Sequence, residues 1–392
     1  MTVAYLTDVE GRWDKLLSFV EGNPHVSLVD GALRLADGVT FVFGGDAMDR
    51  GPHARRIVSL LLEAKRAYEA RVVLLAGNRD VNKVRLVREL DGHPPPRAPS
   101  VLREGARGPL LRWILDHTMG AKDAFAYRAA ELAAEGRAHD EEAVATSFLE
   151  DLAPGGALRA YLAVCQLAYR AGATLFVHGA VTRESLFVVP SADLPARSVD
   201  AWTDALNAFY ADQVSVFERG DEPAALIAYQ APLPGTRAHQ GSVIYGRLAD
   251  EHGNPRLPDE SVVRALCDAG VHRLVVGHTP SGDCPAIVRA VGPCPFEVVL
   301  ADNAYGRVER GSQVAITDAS VEVAALTELD DGTRVPVRFG LHLDDQDSPI
   351  GRPDPITGAL VKARLADGDY LLFRALPGFR VEQRRATPST LR

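Results

Sequence analysis

Five times along this chain a short apolar run ends at once on residues able to offer oxygen or nitrogen to a metal ion. The fragments are VAYLTDVEG (Asp8, Glu10), FVFGGDAMDRG (Asp46, Asp49, Arg50), VVLLAGNRD (Asn78, Arg79, Asp80), LFVHG (His178) and LVVGHTP (His278). Such runs read as buried strands. Side chains carried at the carboxyl ends of strands sit where open α/β sheets place their sites. Taken singly, Asp46 and Asn78 are ordinary turn formers, and either histidine is an ordinary core or loop residue. Taken in order and type, the set can surround two cations and stabilise both oxygens of a phosphoryl displacement.

The spacing between fragments supports the same architecture. Apolar positions at 3–6, 39–43 and 72–75 predict strands. Trp13, Leu16, Leu17 and Val20, then Ile57, Leu60, Leu61 and Ala64, recur at helical spacing between them. This β-α-β-α rhythm predicts an α/β core. DGHPPPRAPS (91–100) breaks it with a proline run that no helix interior accepts. From about 92 to 170 the Ala, Leu, Glu and Arg content predicts a helical insertion or cap, and a second helical insertion is expected over about 190–265. Strands are expected again at 173–177, 272–276 and 296–300. Residues 1–311 are expected to form one domain. The tail, 312–392, reads as β, either late strands of the core or an appended unit, with predicted strands at 314–316, 321–326, 360–365, 369–376 and 379–383.

A formal net charge of −9 over 392 residues argues against a general nucleic-acid binder, which carries a basic face. Four cysteines without a CxxC pair suggest a reducing compartment and small buried side chains, although Cys284 and Cys294 flank a turn-like stretch across which they could meet. The N-terminus opens as a strand with no signal-peptide pattern, and no apolar run reaches the ~20 residues of a membrane helix. A cytoplasmic protein with no membrane partner is the expectation; the oligomeric state is left open.

The ordered motifs resemble the calcineurin-like metallophosphoesterases. The likeness is strongest to their phosphoprotein-phosphatase branch, which holds serine/threonine phosphatases and symmetrical dinucleoside tetraphosphatases. That branch reads D-x-H-G, G-D-x-x-D-R-G, G-N-H-E or G-N-H-D, H-G and a late G-H, against DVEG, GDAMDRG, GNRD, VHG and VGHTP here. The resemblance spans about 1–306. It implies a pair of packed sheets flanked by helices. It also implies two divalent metal ions, one on Asp8, Glu10 and Asp46, the other on Asp46, Asn78, His178 and His278. A hydroxide bridging the ions would attack phosphorus, with Arg50 clamping the phosphate, Asp49 as an orienting residue and Tyr305 lining the pocket. His239 is a weaker candidate for the late histidine.

Two departures carry chemical consequences. Glu10 replaces a family histidine; an all-oxygen site leans toward Mn²⁺ or Mg²⁺, with iron a further option, rather than Zn²⁺. Arg79 replaces the histidine usually assigned as general acid. Arginine stays protonated and cannot donate a proton to a leaving group, yet it can neutralise phosphate charge. The two changes offset one another in charge, so Asp49 is expected to pair with Arg79. Without an acid, good leaving groups are favoured. The sequence therefore predicts a metallophosphoesterase acting on a small phosphorylated substrate, nucleotide or dinucleoside polyphosphate before phosphoprotein. A non-catalytic metal- or phosphate-binding protein on the same fold is the rival of another class.

Overall fold

The computed structural model describes residues 1–308, 310–378 and 380–391. Its strands are β1 (Thr2–Leu6), β2 (Val26–Val29), β3 (Ala32–Leu35), β4 (Val39–Phe43), β5 (Val72–Leu74), β6 (Ala168–Ala171), β7 (Thr174–Val177) and β8 (Arg273–Val276). Then follow β9 (Ala286–Ala290), β10 (Phe296–Leu300), β11 (Gln313–Ile316), β12 (Ser320–Glu328), β13 (Arg334–His342), β14 (Leu360–Arg364), β15 (Tyr370–Leu376) and β16 (Arg380–Ala386). One sheet has the order β13-β12-β11-β1-β4-β5 and a second the order β6-β7-β8-β10-β9; β14-β15-β16 form a third and β2-β3 a hairpin. Within the first sheet β1, β4 and β5 are parallel, and within the second so are β7, β8 and β10.

The two large sheets face each other. Val3, Tyr5, Val42 and Val73 of one meet Phe176, Val275 and Val299 of the other in a single apolar cluster, and the Tyr5 and Phe176 rings lie 5.8 Å apart. The alternate residues, Ala4, Leu6, Phe41, Leu175, Val177 and Leu274, point outward into a second cluster beneath the helices. Both faces of these strands are therefore covered, which is why they read as unbroken apolar runs rather than as alternation. The helix Ala54–Tyr68 buries Ile57, Leu60, Leu61 and Ala64, the stripe its spacing predicts. Among the described residues no helix is long and apolar enough to cross a membrane.

Three expectations need correcting. The helical region after the proline run holds the helices Arg107–Thr118, Ala124–Ala134, Glu141–Leu152 and Ala157–Val164, but residues 168–171 are an edge strand paired with β7. AYRA has helix-compatible composition, and pairing with a neighbouring strand overrides it. The boundary near 311 separates no sheet: β11–β13 extend the first sheet from β1, while β14–β16 stand as an appended unit. Phe379, at the start of the last expected strand, lies outside the described residues. Finally, Cys267 and Cys294 form a disulfide, leaving Cys165 and Cys284 free and buried. The helix Glu260–Asp268 and the β9–β10 connection bring those two Cα atoms to 6.4 Å, a proximity that a separation of 27 residues in sequence does not reveal.

Candidate metal centre

Every fragment singled out in the sequence delivers its residues to one place. Asp8 and Glu10 follow β1, Asp46 follows β4, Asn78 opens the helical turn Asn78–Val81 after β5, His178 follows β7 and His278 follows β8. The parallel strands of two facing sheets thus end on a common rim. The chain turns there so sharply that Asp8, Glu10, Asp46, Asp49 and His278 all adopt positive φ, a conformation costly for side chains other than glycine. Glycines precede the ligands because backbones approach closely. A Cβ at Gly77 would collide with Asp46, and one at Gly277 with Asp8 and Thr7.

Asp46, His178 and His278 present ligand atoms within 4.8 Å of one another, all buried. Asn78 Oδ1 joins them, 3.3 Å from His178 Nε2 and 2.8 Å from His278 Nδ1. The His178 Nδ1 proton is held by the Gly44 carbonyl at 2.7 Å, so its Nε2 lone pair faces Asn78 Oδ1 and, at 3.4 Å, Asp46 Oδ1. Three lone pairs converging in a buried space repel unless a cation stands between them. In the metal-free protein a proton takes that role: burial opposes the charged ring, yet the Asp46 carboxylate carries His178 up to about 10. His278 goes the other way, held neutral by burial and by the charges of Arg247, His178 and Arg79, and its buried Nε2 has no hydrogen-bond partner among the described residues. This donor set fits a divalent ion.

The surrounding charge points the same way. Burial pushes the carboxyls of Asp8, Glu10, Asp80 and Asp302 each up to about 7, with neighbouring carboxylates adding to the effect. Asp8 accepts hydrogen bonds from the Thr7 hydroxyl at 2.6 Å and the His278 backbone N–H at 3.2 Å, and its own carbonyl receives Lys15 Nζ at 2.6 Å. Crowded buried carboxyls of this kind call for added positive charge.

Glu10 is placed differently from the expectation. Its Oε1 lies 2.6 Å from Arg79 Nε and its Oε2 lies 3.4 Å from Arg50 Nη1, so two guanidinium groups already engage it. The reason is local. Arg79 sits on the first turn after Gly77 and reaches back across the rim, also approaching Asp46 at 3.6 Å and Asp49 at 3.5 Å. Asp49 does approach Arg79, but its closer partner is the fully buried Lys83, whose ammonium stands 2.7 Å away. Arg50 donates to the Ala304 carbonyl and stacks over the Tyr305 ring at 3.9 Å, while Tyr305 OH receives Arg79 Nη2 at 3.2 Å. Of the remaining candidates, His239 donates toward the Ala231 carbonyl at 3.1 Å and packs edge-on to Tyr229, outside the cluster.

Sequence reasoning gave Asp80 no role and missed other residues that build the rim. Asp80 accepts the backbone N–H groups of Asp46 at 2.9 Å, Ala47 at 2.8 Å and Gly77 at 3.2 Å, locking two ligand loops together. Its position three residues after Gly77 is a capping signature that could have revealed it. Lys15, Lys83 and Arg247 gave no such signal: Lys15 bonds a backbone carbonyl, and the partners of Lys83 and Arg247 are distant in sequence. The cluster opens into a cavity of about 340 Å³, lined also by Asp116 to Gly120 of the helical insertion, by Tyr245 and Arg247, and by Asp302 and Tyr305.

A model of the family described as calcineurin-like phosphoesterase matches residues 1–282. Among solved structures the chain is similar to the cold-active protein-tyrosine phosphatase of a psychrophilic Shewanella species, at 16% identity and a TM-score of 0.47, covering 86% of this chain and 80% of that one. It is also similar to a protein serine/threonine phosphatase from Saccharomyces cerevisiae, at 10% identity and a TM-score of 0.40, covering 88% and 83%. No curated protein matches the sequence.

Proposed function

We propose, from the premise that the chain belongs to the calcineurin-like phosphoesterase family, that this hydrolase of phosphate esters works at the rim described above on substrates with good leaving groups. The observation that carries the reading is the convergence of Asp46, Asn78, His178 and His278 as a cation-deficient donor set. Two imidazoles, a carboxylate and an amide oxygen suit a first-row divalent ion, and the oxygen-rich surroundings favour Mn²⁺. A second ion would use Asp8 and Asp46, with Glu10 only if it leaves Arg79. Bound divalent ions would supply a nucleophile from water at neutral pH and neutralise charge on phosphoryl oxygens.

The chain's own residues do the rest. Arg247 borders the cavity, braced by the His278 carbonyl at 3.2 Å, and Arg50 stands behind the lining residue Tyr305, braced by the Ala304 carbonyl; both can hold non-bridging phosphoryl oxygens. Arg79, fixed by Glu10, stabilises negative charge on the leaving oxygen without giving it a proton, since burial is outweighed by Glu10, Asp49 and Asp46 and its guanidinium stays charged. That restriction favours anhydrides, such as nucleotide and dinucleoside polyphosphates, over alkyl esters such as phosphoserine.

Hydrolysis of dinucleoside polyphosphates, read as mononucleotide formed, and phosphate release from nucleotides, an aryl phosphate and a phosphopeptide, with Mn²⁺ and beside Asp46→Asn, test this. Anhydrides and the aryl ester should be cleaved well ahead of the phosphopeptide, and the variant should lose on the order of 100-fold or more, as metal-site changes typically do. Release that survives in Asp46→Asn would remove the site from the chemistry. A metal-loaded protein inert to the whole panel would leave a binding protein instead.

A further inference from the structure

A second hollow lies directly beside the metal cavity. It is larger, about 500 Å³, and shares Arg247, Pro280 and Tyr305 with the first, so the two adjoin across these residues. Its near wall is the loop that carries Ala238 and Arg247. Its far wall is the appended sheet, through Phe373 and Ala375 of β15 and Arg380 and Val381 of β16, residues that lie beyond the family-matched segment.

The walls are deliberately joined. β14 pairs with β15 only as far as Phe373, which leaves the Ala375 backbone open on that side. Asn254 fills the gap: its Oδ1 accepts the Ala375 N–H at 2.7 Å and its Nδ2 donates to the Ala375 carbonyl at 3.4 Å. Asp250 holds Asn254 in turn, accepting its backbone N–H at 2.9 Å and its side-chain N–H at 3.0 Å. The turn 250–254 is therefore clamped to the sheet edge, and the space between them is a built cleft.

Resting on the phosphoesterase reading, we propose that this cleft holds the leaving group of the substrate, and that the group is a nucleoside-sized ring system with hydrogen-bonding edges and a further phosphate. A phosphoryl group at the metal centre would direct the rest of its molecule past Arg247 and Tyr305, the polar and aromatic residues that, among the described residues, are common to both spaces. Beyond them the cleft offers apolar surface from Pro280, Ala375 and Val381 for a ring, and the cations of Arg237 and Arg380 for additional charge. The volume is in the range of small-molecule sites, and two or three placed polar groups among apolar walls are what such sites need.

The test uses the full chain with Mn²⁺ and compares wild type with Ala238→Trp, which fills the cleft from a surface loop, and Arg380→Glu, which reverses a charge on its far wall. Melting curves like that of wild type certify the fold of each. The ratio of kcat/KM for ADP to that for phenyl phosphate should fall at least tenfold in Ala238→Trp, chiefly through KM, and fall in Arg380→Glu as well. An unchanged ratio in both variants, or a loss confined to a phosphoserine peptide, overturns the proposal. If wild type releases phosphate from none of these, the phosphoesterase reading has failed by itself. ADP binding by calorimetry then reads the cleft directly: a tenfold weakening in Ala238→Trp supports it, and equal affinity overturns it.

Discussion

At the scale of single residues, the site departs from its family in the pair Glu10 and Arg79, which meet at 2.6 Å with side chains 3% and 12% exposed. Removing either partner of a buried ion pair leaves the other's charge uncompensated, so each single change costs more than the pair contributes. A double-mutant cycle over Glu10→His and Arg79→His should therefore be strongly non-additive. Each single variant is expected to lower kcat/KM and metal affinity, and the double variant to recover part of both. An interaction energy below about 0.5 kcal/mol would mean that the two substitutions are independent. The charge balance of this pair was legible in the motifs DVEG and GNRD. The capture of Asp49 by Lys83 was not, because the motif names neighbours in sequence while that ammonium arrives one helical turn later from a helix the motif does not specify.

Among the elements, one carboxylate gathers several of the ties between the appended sheet and the core. Asp283, in the loop after His278, accepts hydrogen bonds from Val308 N at 2.9 Å, Glu328 N at 2.8 Å, Thr327 Oγ1 at 3.2 Å and Gln383 Nε2 at 2.6 Å. It thereby joins the segment carrying Asp302 and Tyr305 to β12 and β16. Asp283→Ala would strand several buried donors, each costing about 1–3 kcal/mol, so a loss of roughly 3 kcal/mol or more in denaturant unfolding is expected. Faster amide exchange should appear first in β14–β16. A variant whose exchange accelerates evenly everywhere would show that Asp283 is no such tie. Although β2, β3, β6, β9 and β13 were not among those expected, most strands were readable from apolar runs and turn residues. Which of the late strands joined the main sheet was not, since β11 and β14 have similar composition and differ only in whether β1 or β15 is the partner.

For the whole molecule, the crowded rim makes stability depend on metal and pH together. A carboxyl lifted to about 7 in the fold, as burial does to Asp8, Glu10, Asp80 and Asp302, favours the folded state fully below its ordinary pKa near 4. That contribution is lost as pH rises through 7, and His178, raised to about 10, acts in the same direction. Metal-free protein should therefore melt at falling temperature between about pH 5 and 8 as far as these groups decide. The gain in Tm on adding Mn²⁺ should grow over the same interval, because the ion competes with protons for the same atoms. At 100-fold over Kd the stabilisation is about 2.7 kcal/mol, or roughly 3 °C for a chain of 392 residues. A Tm gain that is flat or shrinks with pH would place the ion elsewhere. What the sequence determined by itself was the α/β class, the strands that carry the rim and the motif residues that end on it. Those follow from local rules: an apolar run covered on both faces, then a glycine and a polar residue where the chain must turn. What only the tertiary structure decided was how those residues are shared out. Glu10 turns to Arg79, Asp49 to Lys83, Cys267 to Cys294, and β15 and β16 become a wall of the cleft beside the metal cavity. Each of these choices is a competition between partners distant in sequence, settled by the distance and burial that the packed sheets impose.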